Sequence, residues 1–157
     1  MSIDRPAVGL TVLRICLGVF FLFEGINKVR WFVDATLLAE RFAEWHRAAA
    51  AGSISGWYLE RIAEPAVSSF AKLVPLGELA CGVALIVGFW TPFFAFVAFF
   101  MAANFQIASG AMFKYSFLTS GVGLPVLGGT LALAIGGVRL KWSATGGTTS
   151  AKLGMKN

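Results

Sequence analysis

Four stretches of the chain, residues 8–27, 73–89, 92–109 and 115–138, are apolar over the roughly 17 to 25 residues that a helix needs to cross a bilayer core about 30 Å thick. A chain of 157 residues that is 57% hydrophobic and only 13% charged cannot hide that much apolar surface in a water-soluble core. The sequence therefore predicts an all-α protein: a four-helix transmembrane bundle in a single domain over residues 1–142. Trp90-Thr91-Pro92 parts the second run from the third, because proline is accepted in the first turn of a helix and not in the interior of the one before it. The turn at residues 110–114 is equally short, so the second, third and fourth spans are expected to pack antiparallel as neighbours.

Between the first two spans lies a long connection, residues 28–72, that carries five of the eight acidic side chains: Asp34, Glu40, Glu44, Glu60 and Glu64. Leu38, Phe42, Trp45 and Ala49 recur in it at helical spacing, which predicts an amphipathic helix lying on the membrane or capping the bundle. Trp31-Phe32 and Trp57-Tyr58 stand where an interfacial aromatic belt belongs. The polar, glycine-rich tail, residues 143–157, is expected to be disordered. The first span carries Arg14 and Glu24 with no small-residue cleavage site after it, so it reads as a retained helix rather than a signal peptide. The net charge of +5 is spread over connections and tail instead of one helix face, which points to a membrane surface and away from nucleic acid. Arg139, Lys141, Lys152 and Lys156, with no acid beside them, favour a cytoplasmic C-terminus, and with it a cytoplasmic N-terminus.

The charges inside the spans carry the functional question, since each costs about 2.5 to 3.5 kcal/mol on insertion scales. Arg14, Gly18, Phe21, Gly25 and Lys28 fall within an arc of about 80° at 100° per residue, with Glu24 on its flank. Glu24 and Lys28 have the i, i+4 order that favours an intrahelical ion pair. On the second span Pro75, Glu78, Gly82, Leu85 and Phe89 share a face, and Gly18 and Gly82 would let the two backbones approach closely. With the helices antiparallel, Glu78 falls between the depths of Arg14 and Glu24, so an inward cluster of Arg14, Glu24, Lys28 and Glu78 is expected. Two readings of it stand side by side: charges that pair to set helix register, or a site for a ligand. Asn104, at the end of a phenylalanine stripe of Phe93, Phe96 and Phe100, needs a hydrogen-bonding partner, either another helix or a carbonyl such as that of a quinone. Cys16 and Cys81 lack the Cys-x-x-Cys spacing of dithiol enzymes, although they stand where the first two helices could bring them together. His46 is a lone histidine on a wet helix, and no metal, haem or flavin motif is present.

Leu13-Arg14, Gly18, Phe23-Glu24-Gly25 and Lys28 resemble the opening span of the DoxX and DoxD-like membrane proteins, and Pro75-Leu76-Gly77-Glu78-Leu79, Gly82, Leu85, Gly88 and Thr91 resemble their second span and the turn after it. Gly136-Gly137-Val138-Arg139 is similar to the close of their fourth span. The resemblance implies a four-helix membrane domain, in some members the membrane subunit of a thiosulfate:quinone oxidoreductase that works with a second protein. The resulting expectation is a membrane component of a quinone-linked oxidoreductase in a bacterial-type plasma membrane. Glu24 and Glu78 would handle protons, and Arg14, Lys28 and Asn104 would hold a quinone; a second subunit or further copies of the chain would supply the partner. Whether the protein is an enzyme is left open. The alternatives are a non-enzymatic scaffold that docks other subunits and, behind it, a small-solute transporter.

Overall fold

The computed structural model describes residues 5–137 and Leu140, and the architecture they form is all-α. Helix α1 spans Arg5–Asn27 and leads through a 3-10 turn, Val29–Phe32, into α2, Thr36–Ala48. The short α3, Ile54–Tyr58, runs on into a π-helical turn, Leu59–Ala63, ahead of α4, Val67–Val87. Then follow α5, Thr91–Ala108, a short α6, Tyr115–Thr119, and α7, Leu124–Gly136. Three of these, α1, α4 and α5, are long and apolar enough to cross a membrane. Their outward residues are apolar at helical spacing: Val12, Ile15, Val19, Phe23 and Ile26 on α1; Leu73, Leu76, Val83 and Val87 on α4; Phe93, Phe96 and Phe100 on α5. A soluble fold does not leave three such stripes uncovered, and a bilayer covers them.

Two of the expected boundaries are corrected. The second span begins at Val67, six residues before the expected 73, and passes straight through Pro75, which lies buried in the helix. Proline there removes the N–H that would have bonded to the Ala71 carbonyl, one turn back. The expected fourth span, 115–138, is broken by Ser120 and Gly123 into the five-residue α6 and the 13-residue α7. At 1.5 Å per residue α7 is about 20 Å long, short of a full crossing. It packs on α5 and returns to α1, with Gly129 against Leu13 and Leu17. The expectations for Arg139, Lys141, Lys152, Lys156 and the tail 143–157 lie outside the described residues.

The tightest seam joins α1 to α4, antiparallel as expected, and glycine is the reason. A Cβ added to Gly82 would stand 2.5 Å from the Leu22 nitrogen, and one on Gly18 would stand 2.9 Å from the Ile86 nitrogen. Only a residue without a side chain lets the two main chains come this close. Around this seam lies the first core, with Leu17, Phe21, Cys81, Leu85, Ala98 and Leu133. A second core forms where α2 folds down onto the ends of α4 and α5, burying Leu38, Phe42, Leu59, Ala63, Ala71 and Ala108. The amphipathic helix of the long connection thus caps the bundle.

Candidate functional site

The two cores meet at an ion cluster. Lys28, just past the end of α1, donates from Nζ to Glu24 Oε2 at 2.6 Å, one turn back, and to both carboxylate oxygens of Glu78 at 2.9 Å each. The glycine seam sets this geometry: Gly25 sits against Leu79, so the residues beside them, Glu24 and Glu78, arrive level with one ammonium. A cation at the C-terminal end of α1 also complements the helix dipole. The cluster is graded in depth, with the Glu78 side chain 6% exposed, Lys28 13% and Glu24 38%. Glu24 is therefore the most exposed of the three. The ammonium is further flanked by aromatic rings, with the Phe105 centroid at 5.4 Å and that of Trp31 at 6.0 Å.

Arg14 does not join Glu24, Lys28 and Glu78. It is buried on α1 ten residues before Glu24, about 15 Å along the axis. The reason is register: α4 runs past α1 with Gly82 at Leu22 and Leu79 at Gly25, so Glu78 sits at the level of Lys28 and not midway to Arg14. Cys16 and Cys81 are likewise apart in environment: both are free thiols, the first exposed and the second buried.

Next to the cluster, under the cap, is a cavity of about 140 Å³ whose walls include Phe42, Trp45, Tyr58, Phe70, Asn104 and Phe105. Cavities near 150 Å³ with apolar walls are known to accept a single benzene ring. The polar edge of this one is a single hydrogen bond, in which the Tyr58 hydroxyl donates to Asn104 Oδ1 at 2.6 Å. Burial pushes the Tyr58 hydroxyl above its ordinary pKa, against the opposing effect of its bond to Asn104, so it remains a proton donor. Asn104 has found the partner that its position in hydrocarbon required. Leu73, 62% exposed, lies on the rim, so the cavity borders the membrane-facing surface.

Sequence reasoning assigned Tyr58 to an interfacial belt and did not see Trp45 or Phe105 as walls of one cavity. The available signal was Asn104 itself, a buried amide in search of a donor, with Tyr58 among the few candidates in the connection. His46, read as a lone histidine beside Glu44 and Arg47, instead meets Glu64 Oε1 through Nδ1 at 2.7 Å and ties α2 to the residue after the π turn.

Comparison with known proteins adds one finding: the model of the DoxX family matches residues 9–109, well over half of the chain. That segment contains every residue of the ion cluster and of the cavity walls named above. No curated protein matches, and no solved structure does.

Proposed function

The chain belongs to the DoxX family of membrane proteins, and we propose that it is the membrane component of a quinone-linked oxidoreductase, with the quinone ring seated in the cavity under α2. The observation that carries this reading is the fit of an apolar, ring-sized space to a polar Tyr58–Asn104 edge one residue's width from a buried ion cluster. A quinone supplies the capacity to accept two electrons and two protons, becoming a quinol. The chain's own residues bind and orient. The Asn104 amide has an N–H to offer to a ring oxygen while Tyr58, whose hydroxyl donates to Asn104 Oδ1, fixes that amide; the aromatic walls exclude water, and the rim at Leu73 leaves room for a lipid tail to lie in the bilayer. Lys28 holds compensating positive charge nearby, and Glu24, the most exposed member, passes protons inward to Glu78. Arg14, about 15 Å away along α1, takes no part in this site.

In this reading the electrons come from a partner protein docked on the bundle. The fourth crossing is completed by α7 together with α6, in a bacterial-type plasma membrane with both termini cytoplasmic. The rival reading, a scaffold, draws on the fact that Lys28 already satisfies both carboxylates without any ligand.

Organic extraction and mass spectrometry of the detergent-purified protein tests the proposal. Bound quinone is expected in the wild type and is expected to be lost in the double variant Tyr58→Phe with Asn104→Leu, which keeps the apolar walls and removes the polar edge. No quinone in the wild type, even after reconstitution with added quinone, sinks the redox reading and leaves the scaffold.

A further inference from the structure

Gly77 on α4 is unlike the glycines of the seam. A Cβ added to it would stand 2.9 Å from the Met101 Sδ and 3.0 Å from its Cε, with no main chain of another helix within 4 Å. At Gly18 and Gly82 the neighbour is a main-chain nitrogen; here it is the tip of a flexible thioether, lying in the notch that the missing side chain leaves. Met101 is also a wall of the cavity. It lies one turn of α5 before Asn104 and Phe105, and Gly77 lies one turn of α4 after Leu73 and Val74, so the pair closes the cavity on the side toward the α4–α5 turn. Methionine is unbranched, with three rotatable bonds, and its tip settles where space allows. The volume that it bounds, about 140 Å³, is close to the roughly 150 Å³ that holds one benzene ring.

We propose that Met101, seated on Gly77, sets the ring size that the cavity accepts: a single six-membered ring fits against the thioether, and a fused two-ring system does not. The proposal rests on the reading of the cavity as a ring-binding site. It makes Met101 a specificity residue and Gly77 the residue that positions it, with no part for either in proton or electron transfer. A side chain at position 77 fills the notch and drives the thioether into the cavity, the open space that Met101 already borders. Removal of the thioether extends the cavity toward Gly77 and admits the second ring.

The test is equilibrium dialysis of the purified full chain in an uncharged detergent, corrected for uptake by empty micelles, against acetophenone and its naphthalene counterpart acetonaphthone. Both ketones are uncharged and carry the same carbonyl acceptor, and they differ by one fused ring. The wild type is expected to prefer acetophenone. Met101→Ala is expected to shift the ratio of affinities toward acetonaphthone by about tenfold or more, the scale on which an apolar pocket separates ligands that differ by a methylene. Gly77→Ala is expected to weaken acetophenone binding by a similar factor. The double variant Gly77→Ala with Met101→Ala is expected to match Met101→Ala, because the added methyl then has no thioether to displace. Val97→Ala, one turn away on α5 and packed on the first core outside the cavity walls, is expected to leave the ratio in place. Should Met101→Ala not fold, Met101→Val shortens the same side chain and carries the same expectation. An unmoved ratio in the Met101 variants, or an equal shift in Val97→Ala, overturns the role given to Met101, while bound acetophenone leaves the cavity reading standing. A Gly77→Ala effect that persists in the double variant overturns positioning by Gly77. Failure of the wild type to bind either ketone overturns the cavity reading and this proposal with it.

Discussion

Along the α1–α4 seam the contacts are main chain against main chain, with Gly18, Gly25 and Gly82 leaving no space for a methyl group; under α2 they are aromatic rings around an open volume of about 140 Å³. The first arrangement has a single solution, because a backbone cannot rotate out of the way. The second leaves a space that no side chain fills. The difference teaches where each task sits: the seam fixes the height at which Glu78 meets Lys28, and the cap supplies a space whose contents can change.

The comparison can be broken most severely at Lys28. Replacing it with methionine leaves Glu78 buried without its ammonium, and a loss of about 3–5 kcal/mol is expected, read as a fall in the unfolding midpoint in detergent. The companion change Glu78→Gln is expected to restore most of it. Next comes Leu38→Ala, which hollows the cap and is expected to cost about 3 kcal/mol. Hydrogen exchange sharpens the distinction there, because amides of α2 and α3 are expected to lose protection while those of the seam keep theirs; equal loss in both regions would show one cooperative unit and end the comparison. Gly82→Ala drives a methyl into the Leu22 main chain and is expected to destabilise by about 1–3 kcal/mol, with α1 and α4 exchange rising together. The smallest effect belongs to Tyr58→Phe, about 1 kcal/mol for one neutral hydrogen bond, with exchange changes confined to α3 and the end of α5.

The spans that could be read from the sequence are those whose apolar runs end at strong signals, as at Pro92 and at Gly110. The start of α4 was hidden because Ser68, Ser69 and Lys72 dilute its first turns and Pro75 mimics a beginning. The fourth span was overextended because Ser120 and Gly123 are too few to break a hydropathy average, although they break a helix. Of the candidate site, the pair at i, i+4 and the inward face of Glu78 were legible, as was the role of Gly18 and Gly82, since these follow from helical periodicity alone. The exclusion of Arg14 was not, because it turns on a register of a few residues between two helices, set by which glycine meets which backbone. The Tyr58–Asn104 bond joins residues 46 apart, through a π turn and a folded connection that no local pattern encodes.

Pro75 divides α4 into two levers of different allegiance. The lower one carries Phe70, Leu73 and Val74 into the cavity wall, and the upper one carries Glu78 and Gly82 into the seam. At the joint the ladder is already missing one rung, so a swing of the lower lever strains the helix less there than at any other point along it. The residues of the cavity wall and those of the charge alignment thus share one helix but lie on opposite sides of its weakest point.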